Sequence, residues 1–111
     1  MNEPKDSLAQ LAQRLAQFAA ERDWERFHAP KNLASALVVE AAELLEPFQW
    51  LSEAQSRSLD ADQREAVAQE MADVLLYLVQ LANVTGIDLL DAAQRKMAIN
   101  AQRFPVPPAQ P

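Results

Sequence analysis

"VAQEMADVLLYLVQLANV", Val67 to Val84, is hydrophobic nearly all the way round a helical wheel. A helix of that kind buries more than one side, which makes it the centre of a packed helical domain. Inside it stand two carboxylates, Glu70 and Asp73, surrounded by Val67, Met71, Val74 and Leu75. Three residues are one helical turn, so the two acids share a face. Burying an ionised carboxylate without a partner is costly, and the usual compensation is an opposite charge or a metal ion.

Working outward, "VVEAAELLEPFQW" (Val38 to Trp50) repeats the anomaly with Glu40 and Glu43. Leu33, Leu37, Ala41 and Leu44 form the inner stripe of a helix expected from Asn32, as N-cap, to Glu46. Pro47 ends or bends it, and its missing N–H is expected to shift Phe48 and Trp50. Upstream, Ser7 and Gln10 resemble a capping box, and Leu8, Leu11, Leu15 and Phe18 stripe a first helix running to about Arg26. Downstream of a polar linker, "LSEAQSRSLDADQ", Asp60 and Gln63 form a second capping pair. Gly86 stops the long apolar helix, and Asp88 caps a last one through "LLDAAQRKMAINAQRF". The expectation is an all-α fold of four main helices, a single domain over residues 1–105 with a loose proline-rich tail, 106–111.

The totals agree. Of 111 residues half are hydrophobic, with one Gly, seven Pro and no Cys. Frequent alanine and few β-branched residues favour helices. Absence of cysteine excludes a thiolate nucleophile, a disulfide framework and a zinc–thiolate site. Sixteen acidic against ten basic residues give a net charge of −6. That balance argues against polymeric nucleic acid and anionic membranes as partners, since both require basic patches. No apolar run is long enough to span a membrane and no leader pattern is present, so the expectation is a cytoplasmic protein. A core this small also leads us to expect self-association.

Antiparallel packing of the two acidic helices would bring Glu40, Glu43, Glu70 and Asp73 together. Converging carboxylates repel unless a cation neutralises them, and oxygen donors without His or Cys suit Mg²⁺, with Mn²⁺ as substitute, over zinc. Mg²⁺ also binds phosphate oxygens, which would let an acidic protein hold an anionic substrate. A single such pair is ordinarily a solvated helix face; two pairs in apolar surroundings are not the ordinary case. A di-iron bundle would need Glu-x-x-His pairs, and the one histidine, His28, lies outside the helical pairs.

"EAAE" (Glu40–Glu43) and "EMAD" (Glu70–Asp73) resemble the E-x-x-E, spacer, E-x-x-D signature of the all-α nucleoside triphosphate pyrophosphohydrolases, the MazG-like superfamily. "RDWERFHAPKN", "FQW" and "KMAIN", in that order, are similar to its dCTP pyrophosphatase branch. The resemblance implies a four-helix MazG-like bundle assembling as a homodimer or homotetramer, with sites formed partly between chains. It implies Mg²⁺-dependent hydrolysis of a nucleoside triphosphate, dCTP or a modified dCTP, to monophosphate and pyrophosphate. Glu40, Glu43, Glu70 and Asp73 carry over as catalytic metal ligands. Lys96, Asn100 and Arg103 become candidates for the triphosphate and nucleoside, and Lys31 for a phosphate. Trp24, Phe27, His28, Asn32, Trp50 and Tyr77 become candidates for base and sugar, with Trp50 foremost for stacking. The rival readings are the same reaction on dUTP or a damaged purine triphosphate, and a non-catalytic nucleotide-sensing bundle.

Overall fold

The computed structural model describes residues 7–108, and every regular element in them is helical. In chain order these are α1 (Leu8–Glu21), a 3-10 turn (Glu25–Phe27), α2 (Pro30–Leu45), α3 (Glu53–Ser56), α4 (Ala61–Thr85) and α5 (Leu89–Arg103). The four expected helices are all present. The additional one, α3, is a single turn within the segment read as linker. Ser52 accepts the Gln55 N–H while the Gln55 side chain accepts the Ser52 N–H, a full capping box that makes one turn viable. Residues 109–111 of the expected tail lie outside the described residues.

The helix ends follow from local chemistry. Ser7 Oγ accepts the Gln10 N–H at 3.1 Å to open α1. Asp60 Oδ1 accepts the Gln63 N–H at 2.8 Å, and Gln63 returns the bond to the Asp60 N–H at 2.9 Å, opening α4. Asp88 Oδ1 accepts the Asp91 N–H at 3.0 Å to open α5. Gly86 closes α4 in the left-handed region, φ 71°, where a side chain would be strained.

Two boundaries differ from expectation. α1 stops at Glu21, five residues short of Arg26, because Asp23 turns into the left-handed region at φ 54° and sends the chain back through the 3-10 turn. Asp tolerates that conformation better than most residues. α2 starts at Pro30, not at Asn32, with Ala29 as N-cap. Proline at the first helical position costs no hydrogen bond, and its fixed φ suits the helix. Asn32 instead donates from Nδ2 to the Phe27 carbonyl at 3.4 Å, tying α2 to the preceding turn.

Packing centres on α2 against α4, with α1 laid on α4. Among the described residues Ala19, Leu33, Val67, Val79 and Gln80 are buried. Asn83 on α4 donates from Nδ2 to the Ala12 carbonyl of α1 at 3.0 Å, fixing the two helices in register. α5 leaves at 103° to α4 and packs little against the rest. No single helix among the described residues is long and apolar enough to cross a membrane. The radius of gyration is 17.8 Å, against ~13 Å for a compact chain of this length. The expected burial of α4 on several sides is therefore not met within one chain, since Met71, Leu75 and Val84 stay exposed where nothing covers them.

Leu33 is 2% exposed at the α2–α4 contact. Leu33→Ala should lower the unfolding free energy by about 2–5 kcal/mol, read by urea denaturation. Gly86→Ala meets open space but a left-handed backbone, so its cost should be only about 1 kcal/mol.

Candidate active site

The α2–α4 packing brings the two acidic pairs face to face. Glu40, Glu43 and Glu70 each place a carboxylate oxygen within 4.8 Å of the others, all three half-buried. Asp73, one turn along α4, is exposed at the edge of this cluster. Its charge still reaches both Glu40 and Glu70.

Among the described residues no Lys, Arg or His forms an ion pair with these acids. Burial lifts the Glu40 carboxyl above its ordinary pKa of 4.5, helped by a hydrogen bond with Glu43 and by the charges of Glu43, Asp73 and Glu70. Burial likewise raises Glu70, with the charges of Glu43, Asp73 and Glu46 adding to it. Glu46 was not among the expected site residues, although its place one turn beyond Glu43 put it on the same face. The Oε2 atoms of Glu40 and Glu70 are buried and accept no hydrogen bond. Such oxygens are acceptors awaiting a donor or a cation. With carboxylate oxygens as the whole donor set, the cluster fits a hard divalent metal.

Beside the acids opens a cavity of about 500 Å³ between α1, α2, α4 and the 3-10 turn. Phe18, Trp24, Phe27 and His28 give it rings, and Asn32, Asp73, Tyr77 and Gln80 give it polar groups. The Phe18 and Trp24 rings meet edge to face at 5.4 Å, and Trp24 and His28 at 6.4 Å. The reversal at Asp23 places these rings: a continuous α1 would have carried Trp24 and Phe27 away from α4. Asp73 lines the cavity wall and, from the edge of the acidic cluster, acts on it through its charge.

The structure thus gathers Trp24, Phe27, His28, Asn32 and Tyr77 around the cavity with Asp73, brings Glu40, Glu43 and Glu70 together beside it, and leaves the other candidates elsewhere. Trp50, expected to be the best stacking ring, is 87% exposed and lies outside the cavity. Pro47 ends the α2 ladder, after which Phe48 donates to Leu45 and Leu51 to Phe48 at 2.9 Å, winding the chain tightly past Trp50. Lys31 is exposed and outside the cavity; its carbonyl accepts the Ser35 hydroxyl at 2.9 Å. Lys96, Asn100 and Arg103 ride on the outlying α5 and do not line the cavity of their own chain.

The MazG-like family model matches residues 36–110, which include both acidic pairs. The chain belongs to the MazG-like family. It is 47% identical over 105 residues to dCTP pyrophosphatase 1 of Rattus norvegicus, covering 93% of this chain and 62% of that protein. Its identity to dCTP pyrophosphatase 1 of Homo sapiens is 44%, covering 92% of this chain and 61% of that one. The chain therefore spans about three-fifths of the length of these relatives. The fold is similar to the crystal structure of a pyrophosphatase from Archaeoglobus fulgidus, with a TM-score of 0.84 and 36% identity over 96% of this chain and 99% of that one. The branch suggested by the sequence motifs is thus borne out.

A carboxyl whose pKa is raised by folding favours the folded state below its ordinary value of 4.5, an advantage lost as pH rises through the raised pKa. In chelator, Glu40→Gln should therefore melt above the parent at neutral pH. The gain should shrink as pH falls towards that ordinary value, followed by circular dichroism melts.

Proposed function

We propose that the protein hydrolyses a (deoxy)nucleoside triphosphate, dCTP or a modified dCTP, to the monophosphate and pyrophosphate, using Mg²⁺ with Mn²⁺ as substitute. The observation that carries this reading is the double position of Asp73. A group that shares a wall with a ring-lined cavity and a border with an acidic cluster suits a ligand with a flat apolar end and a polyanionic end. The names of the relatives agree.

In this reading Glu40, Glu43, Glu70 and Asp73 hold the divalent ion. When bound, the ion supplies charge neutralisation at the phosphates and a more acidic water. The carboxylates would fix its position through the α2–α4 contact, and its charge would offset the burial and mutual repulsion that raise the Glu40 and Glu70 carboxyls. Trp24 and Phe27 stack on the base and exclude water from it. Tyr77, one turn from Asp73, stands where the sugar would pass, and Asn32 braces the ring-bearing turn through its bond to Phe27. The activity would serve the cytoplasmic nucleotide pool.

On the same reading the working unit is a homodimer or homotetramer. Val38, Val39, Leu45, Met71 and Leu75 are exposed around the acidic helices, and Met97 and Ile99 are exposed on α5. Apolar surface in that amount favours association. A partner's α5 would then bring Lys96, Asn100 and Arg103 to the triphosphate, since a chain's own α5 points away.

The direct test is a panel of canonical and modified nucleoside triphosphates, with Mg²⁺ or with chelator, resolved by chromatography. Monophosphate and pyrophosphate should form only with metal, fastest for a cytosine base, and Glu70→Gln should lower turnover by roughly 100-fold or more. No turnover on any member would favour the sensing reading. For the shared site, Lys96→Ala and Glu70→Gln proteins, each impaired alone, should regain activity when mixed after mild dissociation. Mixtures as inactive as their parts would refute it.

A further inference from the structure

Gln80 is the one buried polar residue among the described residues, 7% exposed, and it lines the ring-walled cavity. Its carboxamide makes no hydrogen bond to any described group. The amide atoms are not among the fully enclosed polar atoms that lack a partner, so they are left facing the cavity, where a ligand could use them. The anomaly resembles that of the carboxylates: a polar group held at a core position with no intramolecular use.

Its place along α4 gives it a role. Asp73, Tyr77 and Gln80 follow at spacings of four and three, so they share one face of the helix. Seven residues of helix separate Asp73 from Gln80 by about 10 Å. If Asp73 marks the phosphate end of the cavity, Gln80 marks the far end, where the base must lie, and Tyr77 stands between. Leu15, Phe18 and the Trp24 ring line the same cavity; they can enclose a flat heterocycle but offer little to its polar edge.

Resting on the function proposed above, we infer that Gln80 reads the 4-position edge of a pyrimidine base. A carboxamide presents an acceptor and a donor side by side. Gln80 Oε1 would accept from the exocyclic 4-amino group of cytosine while Nε2 donates to ring N3. Turned over, the same amide fits the 4-oxo and N3–H of uracil, so the residue requires a polar edge without by itself separating these two bases. Separation of cytosine from uracil then depends on what holds the amide in one orientation.

The test removes the edge from either side. Wild type and Gln80→Met are compared on dCTP and on the 2-pyrimidinone deoxynucleoside triphosphate, which lacks the 4-amino group. Binding of the two corresponding monophosphates is followed in parallel by tryptophan fluorescence. Wild type should favour the cytosine nucleotides by roughly tenfold or more, and Gln80→Met should favour them hardly at all. The loss should fall on KM and on monophosphate affinity, and Gln80→Met should melt no lower than wild type because the amide has no partner to lose. Equal discrimination by both proteins would overturn the inference, as would a marked fall in melting temperature, which would make the amide structural. If wild type turns over no triphosphate yet its monophosphate binding discriminates and that of Gln80→Met does not, the hydrolase reading fails and the role of Gln80 stands.

Discussion

Like charges facing one another across the α2–α4 contact are the constraint on which the rest of the molecule depends. Three carboxylate oxygens lie within 4.8 Å of one another in a half-buried setting, where burial first and the neighbouring charges after it raise the Glu40 and Glu70 carboxyls. The packing must therefore be held by something other than the acids. Leu33 and Val67 lie buried on these two helices, and α1 steadies α4 through Asn83 and the buried Ala19 and Val79. Helix rise then sets the geometry, because acids three apart on each helix converge in only one register. The reciprocal cap of Asp60 and Gln63 starts α4, and Gly86 ends it.

Much of this could be read from residue order. Capping residues, apolar periodicity and the glycine stop define α4 and α5 nearly to the residue, because each is a local interaction written in neighbouring side chains. The acidic pairs were legible for the same reason: a spacing of three puts two groups on one face whatever lies opposite. The end of α1 was not legible, because its apolar stripe runs on and only the left-handed turn at Asp23 breaks it. Asparagine at position 32 is a sound N-cap by composition, but Pro30 begins the helix earlier and leaves the Asn32 side chain to hold the neighbouring turn.

The ring candidates show where one-dimensional reasoning stops. Trp50, favoured for its place after a helix end, lies outside a cavity that is lined by Trp24 and Phe27, also expected there, and by Phe18, which was not. Which side chains meet across a groove depends on the direction in which the chain re-enters the bundle, and one backbone angle at Asp23 decides that. Gln80 escaped notice because a lone glutamine in an apolar run reads as a tolerated polar residue until its surroundings are known. Lys96, Asn100 and Arg103 are a different case. Their spacing places Lys96 and Asn100 on one face of α5, but sequence says nothing of where that helix lies relative to the cavity, and in the structure neither lines it.

One helix face of α4 links the two ends of the cavity. Asp73 borders the acids, Tyr77 follows after one turn, and Gln80 stands after two, all on a backbone that cannot change their separation without breaking its own hydrogen bonds. A ligand bound at both ends is therefore measured against a rigid rule. Affinity for the base end then positions the charged end, and binding energy gained at a remote group is available for orientation at the reacting one. In that arrangement an unpartnered amide in the core has the same logic as unpartnered carboxylates beside it. On the function proposed above, each would find its partner in a ligand long enough to reach both.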